Sequence, residues 1–156
     1  MTTQLLKTLQ SRLGEDLLIG NWETITQERI DAFAELTGDR QWIHTDPERA
    51  RRESPYGGTV AHGFLTLSLI PGLTGSNTPE FMARHFPGMR MRVNYGLNKV
   101  RFPAPVPAGS KVRARMSIAE ARQAGEGVEV VCLMTVELEG SEKPACVAEQ
   151  VFRLYP

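Results

Sequence analysis

The densest run of reactive side chains is LTGDRQWIHTDPERA, residues 36–50. Asp39 and His44 lie five positions apart in it. A carboxylate beside an imidazole suits proton transfer near neutral pH. The ring titrates near about 6.5, and a neighbour fixes its tautomer and shifts its pKa. On a single helix that offset turns about 500°, so the two would not share a face. They can meet only if the segment is a loop, and its flanks predict one. Gly38 stands where a left-handed C-cap ends a helix, and Asp46–Pro47 reads as the N-cap and first position of the next. Taken alone, the pair fits a second reading too, with Asp39 capping a turn and His44 packing behind Trp42.

Two further clusters carry chemistry. In TVAHGFLTLSL, residues 59–69, His62–Gly63 opens an apolar helix. The first amides of a helix lack internal partners and carry partial positive charge, so they can polarise a carbonyl or hold an oxyanion. Glycine there lets a ligand approach the backbone. The alternative is that Gly63 only relieves crowding and His62 only caps. In RVNYGLNKVRFPAPVPAGS, residues 92–110, Lys99 and Arg101 share a strand face. That pair reads as a solvated face or as contacts for the phosphates of a nucleotide-bearing carrier.

These residues need a scaffold, and the sequence predicts its parts in two halves. Leu5, Leu6, Leu9 and Leu13 make one stripe, predicting a helix over 3–13. A strand follows at 17–24. Thr26 caps a helix carrying Ile30, Phe33, Ala34 and Thr37 on one face. Asp46–Pro47 opens a helix to about Glu53. Residues 63–73 are apolar on nearly every side and predict a helix buried all round. Residues 71–88 contain Pro71, Gly72, Gly75, Pro79, Pro87 and Gly88, so they cannot be one helix. This segment is expected to form a flap over a ligand tunnel, with Phe81, Met82 and Phe86 in its path. From Met89 the period changes to two. Val112, Ala114, Met116 and Ile118 alternate with polar residues, as do Val128 through Leu138, and 145–155 forms a further strand. Short turns between such strands imply an antiparallel sheet. The fold class is α+β, one domain over 1–156, with the sheet wrapped around a long buried helix.

Composition removes other functions. Lys plus Arg and Asp plus Glu number 18 each, so there is no basic surplus for nucleic acid. No apolar run is long enough to span a membrane, and the N-terminus has no signal-peptide pattern, so a cytoplasmic protein is expected. Cys132 and Cys146 read as small buried hydrophobes in a reducing compartment. Ser68 sits in no nucleophile elbow, and neither a P-loop nor a dinucleotide fingerprint occurs. His44, His62 and His85 are too scattered in sequence for a metal motif.

Together these clusters resemble the MaoC-like hydratases, the (R)-specific enoyl-CoA hydratase family with the hot-dog fold. TGDRQWIH, residues 37–44, followed by TDPERA resembles the family's G-D-x-N-P-x-H signature. AHGFLTL at 61–67 resembles the entry to its central helix, NYGLNKVRFPAPVPAGSKVRA at 94–114 its following strand segment, and PACVAE at 144–149 its last strand. The likeness runs from about 15 to 155 and is similar to the short, single-domain nodulation protein N type. It implies that Asp39 and His44 are the acid–base pair and that the Gly63 amide holds the thioester oxygen. It also implies hydration of a trans-2-enoyl thioester to the (R)-3-hydroxyacyl product, without cofactor or metal. The substrate would be carried by CoA or acyl carrier protein, and two protomers would join their sheets as a homodimer. The signature's Asn-Pro is Gln41-Trp42 here, and the bulkier Trp42 is expected to bear on pocket shape and substrate length. The same fold hosts acyl-CoA thioesterases, and a non-catalytic acyl-thioester binding module is a further alternative.

Overall fold

The computed structural model describes residues 2–156. Helix α1 (Thr2–Gln10) buries Leu5 and Leu9. The chain unwinds before Leu13, which forms a single bridge to Ile118 instead of a further helical turn. Two short strands follow, β1 (Asp16–Ile19) and β2 (Glu23–Thr24). Helix α2 (Gln27–Thr37) starts where the Thr26 hydroxyl accepts from the Arg29 amide. It ends at Gly38, whose φ of 79° only glycine adopts cheaply, and the Gly38 amide donates back to the Ala34 carbonyl.

The connector after Gly38 has no regular structure as far as Gln41 and closes in one helical turn, α3 (Trp42–Thr45). The Asp46 carboxylate accepts from the Arg49 amide, and with Pro47 in the first turn it opens α4 (Pro47–Glu53). The central helix comes in two pieces, α5 (Gly63–Ser68) and α6 (Ile70–Thr74). Pro71 has no amide proton to continue the ladder, so the axis breaks at Leu69. Nor is the helix buried all round. Leu65, Thr66, Ile70 and Leu73 face the core, whereas Phe64 is 68% exposed. The short helix α7 (Pro79–His85) completes the helical half.

The second half is four long strands, β3 (Met91–Arg101), β4 (Lys111–Ala124), β5 (Gly127–Leu138) and β6 (Cys146–Tyr155). They form an antiparallel sheet in the order β1-β4-β5-β6-β3, with β2 also on β4. The period-two pattern lands as expected. Val112, Ala114, Met116 and Ile118 of β4 are fully buried, as are Val128, Val130, Cys132, Met134 and Val136 of β5. This face packs with Leu65, Ile70 and Leu73 of the central helix in one core. The helix approaches closely: a Cβ on Gly20, just after β1, would lie 1.9 Å from the Leu73 carbonyl oxygen. Cys132 stands opposite Gln150 and Cys146 opposite Val136, so the two thiols do not pair across the sheet. Both are free and buried, and burial pushes them up to about 12 and about 11.

β3 behaves differently. Among the described residues its only strand partner is β6, so its outer edge is open. Met91, Val93, Tyr95 and Leu97 are all exposed along it. No described helix is long and apolar enough to cross a membrane.

Candidate active site

The site begins at the Gly38 turn. Ending α2 there sends Asp39 back toward the start of α5, and the α3 turn then brings His44 inward. One ligand atom from each of Asp39, His44 and His62 lies within 4.8 Å of the other two. Asp39 is exposed, and both imidazoles are buried. The His44 Nδ1–H donates to the Val60 carbonyl at 2.6 Å. That bond assigns the tautomer, because a carbonyl oxygen can only accept. Nε2 is therefore the lone-pair nitrogen of neutral His44. Burial holds the His44 pKa below the ordinary histidine value, His62 lowers it further, and the Val60 bond and Asp39 oppose the shift.

Backbone placement is equally constrained. The Gln27 amide donates to the His44 carbonyl at 2.7 Å, and its oxygen accepts from the Thr59 hydroxyl at 2.5 Å. The first residue of α2 thus ties the α3 turn to the segment leading into α5. His44 and Gly63 face a cavity of about 320 Å³, whose walls include Ile43, Tyr56, Thr66 and Phe102. Gly63 has a steric reason to lack a side chain. A Cβ would lie 2.8–2.9 Å from three ring atoms of Phe102.

The remaining candidates fall in different places. Gln41 is the exposed N-cap of α3, and its carbonyl accepts from the His44 amide. Trp42 is covered by the Arg49 guanidinium at 4.4 Å and does not line the cavity. Phe81 and Phe86 correct the flap expectation. Both are buried in the main core, with their rings 6.0 Å apart, and neither lines the cavity beside His44. The segment 71–88 has enough apolar side chains to pack down, so it forms part of the core's wall. Met82 is half-buried on the same helix. Lys99 pairs with Glu149 at 3.2 Å, and Arg101 donates to the Val100 carbonyl. Both lie on exposed β3, outside the cavity wall.

His44 and His62 are eighteen positions apart, a spacing that fits no metal motif. The fold nevertheless stacks them, with ring centroids 3.8 Å apart and planes at 27°. With Asp39 they form a two-histidine, one-carboxylate cluster of a kind that can hold a metal ion. Imidazole lone pairs lie in the ring plane, and two nearly parallel stacked planes do not converge on one point. The arrangement suits proton transfer better than ligation.

The family model for the MaoC like domain matches residues 8–139. The chain belongs to the MaoC-like dehydratase family. Its sheet around a central helix is the family's hot-dog fold. At the level of sequence, 3-hydroxyacyl-thioester dehydratase Z of Mycobacterium tuberculosis is 48% identical over 153 residues, covering 97% of each chain. Nodulation protein N of Rhizobium leguminosarum bv. viciae is 43% identical, covering 94% of this chain and 88% of that one. In three dimensions, the solved (R)-hydratase from A. caviae superposes with a TM-score of 0.67 at 22% identity, covering 88% of this chain and 96% of that one.

Within this MaoC-like domain, sequence reasoning missed Gln27, Tyr56, Thr66 and Phe102. Gln27 reads as an ordinary first-turn polar residue, and no spacing signal links it to His44. Phe102 carries one usable signal, since it directly precedes PAPVPA, where chain direction must change.

Proposed function

We propose that this protein adds water to trans-2-enoyl thioesters, giving (R)-3-hydroxyacyl thioesters, and catalyses the reverse dehydration. One observation carries the reading. Asp39 lies beside His44, and His44 shares a cavity wall with Gly63 at the start of α5. Water sits between Asp39 and His44. Nε2 takes a proton from it as the oxygen bonds to Cβ. The π electrons move through Cα toward the thioester oxygen, and the Gly63 amide stabilises that developing charge. A proton returned by the Asp39–His44 pair to Cα completes the addition of H and OH. A relative named as 3-hydroxyacyl-thioester dehydratase, 48% identical to this chain, supports the reaction class.

The open β3 edge and its exposed Met91, Val93, Tyr95 and Leu97 are the face for a second copy, so the working unit is a homodimer with side-by-side sheets. The free, buried thiols fit a cytoplasmic protein. The test is to follow loss of the conjugated double bond when purified protein meets crotonyl-CoA and longer enoyl-CoAs, and to check for free thiol. Loss of conjugation with the thioester intact is the expected result. Thiol release from a saturated acyl-CoA would instead indicate a thioesterase, and binding without turnover a non-catalytic acyl-thioester binding module.

A further inference from the structure

We propose that His62 is a positioning residue, a strut that locks the Asp39 loop and the His44 ring into one rigid unit. The inference rests on the hydratase reading above. His62 stands at the N-cap position of α5, yet its side chain makes no capping bond, so helix capping does not explain it. Its Nε2 lies 2.8 Å from the Asp39 carbonyl oxygen. That oxygen only accepts, so Nε2 carries the proton and His62 donates to the Asp39 backbone. One ring face lies on His44 at 3.8 Å, and Phe33 packs against His62 at 5.1 Å. The same side chain therefore touches the backbone of one member of the proton-transfer pair and the ring of the other.

The remaining nitrogen argues that packing alone does not account for this residue. Nδ1 is buried with no hydrogen-bond partner among the described residues, and His62 is only 3% exposed. A buried polar atom without a partner costs stability, and a phenyl ring would fill the same space without that penalty. Asp39 itself is exposed and follows a glycine, so its loop needs an external restraint. His62 supplies it from the start of α5. Small displacements of a proton-transfer pair are expensive in rate, up to about 100-fold for a misplacement near 1 Å.

Two substitutions separate the hydrogen bond from the ring. His62→Gln places a side-chain amide N–H where Nε2 now sits, so it keeps the bond to Asp39 and loses the stack. His62→Phe keeps the stack and loses the bond. kcat and KM for hydration of crotonyl-CoA are measured alongside hydrogen–deuterium exchange of the amides over residues 38–42. The expected result for His62→Phe is a kcat lowered about 10- to 100-fold, a KM within about twofold, faster exchange over 38–42 and no loss of thermal stability. His62→Gln recovers the slow exchange over 38–42 and part of the kcat, the remaining loss reporting the missing stack on His44. The proposal is overturned if His62→Phe keeps normal kcat, or if a folded His62→Gln is as slow as His62→Phe. Should His62→Phe not fold, His62→Asn, whose amide is too short to reach the Asp39 carbonyl, is compared with His62→Gln, since both lack the ring and differ in the bond; lower kcat and faster exchange over 38–42 than in His62→Gln are expected. If the parent protein hydrates no enoyl thioester, the hydratase reading fails. Exchange over 38–42 then decides the strut by itself, and unchanged exchange in His62→Phe overturns it.

Discussion

At the scale of single residues, two features set the chemistry of His44: the Val60 carbonyl that fixes its tautomer and the burial that lowers its pKa. Asp39→Asn or His44→Ala should each cut hydration by about 10²–10⁴-fold with the fold intact, measured as kcat/KM with folding checked by circular dichroism. Near-normal turnover in either would remove the pair from the mechanism. The pH dependence has a defined sign. His44 must be neutral to accept a proton, and its pKa lies below the ordinary value. Activity should therefore hold as pH falls through about 6.5 and decline only below it. An acidic limb of kcat/KM above that point would contradict the burial argument. Gly63 makes a compound prediction. Gly63→Ala should lower kcat more than it raises KM, while Ser68→Ala has a modest effect. Because the new methyl meets Phe102, pairing it with Phe102→Ala should recover part of the loss if sterics contribute. The Asp39–His44 motif was legible because its chemistry is local in sequence. The His44–His62 stack, the Gln27 clamp and the Phe102 contact were not, since each joins segments that only the fold brings together.

At the scale of elements, caps and periodicity were legible and helix continuity was not. Thr26, Gly38 and Asp46 mark helix ends as their residue types predict, because capping is settled within a few residues of backbone. The central helix departs from its expectation in two respects. Apolar composition implies burial on every side, but composition does not distinguish a core face from an exposed apolar one, and Pro71 divides the rod. The segment 71–88 is not one helix, as its prolines and glycines require: α6 is capped at Gly75 and α7 covers only Pro79–His85. Its Phe81 and Phe86 went to the core because burying two aromatic rings outweighs leaving them on a mobile lid. The Gly38 turn links an element's end to the site. Gly38→Ala forces a side chain into the left-handed region at a cost of about 1–2 kcal/mol. A lower urea midpoint together with reduced kcat is expected, since Asp39 is the next residue. A stability loss with normal kcat would show that the Gly38 turn is not needed to place Asp39 and that the His62 bond suffices.

Across the whole molecule, the sheet presents one face to the helices and ends in β3, whose outer edge has no strand partner among the described residues. Tyr95 is 64% exposed on that edge, an odd place for a large ring in a finished surface. For the proposed homodimer, Tyr95→Glu combined with Leu97→Glu should halve the particle mass in light scattering, whereas an unchanged mass would contradict a contact through β3. Stability also responds to pH as a whole-molecule property. His44 and His85 are both buried with lowered pKa, chiefly by desolvation, with Arg12 and Arg84 adding to the shift at His85. Below about pH 6.5 the unfolded chain takes up protons that the native state refuses, so stability should fall on acidification. His85→Gln should flatten part of that fall in urea titrations between about pH 7 and 5.

The destination of the water oxygen separates hydration of the double bond from hydrolysis of the thioester. Enoyl-CoA is incubated with the protein in oxygen-18 water, and the products are read by mass spectrometry. Hydration by Asp39 and His44 predicts the label on C3 of an intact 3-hydroxyacyl thioester, appearing about 10²–10⁴-fold more slowly when Asp39→Asn replaces the parent protein. Label in a free carboxylate, with CoA released and C3 unlabelled, would contradict the account.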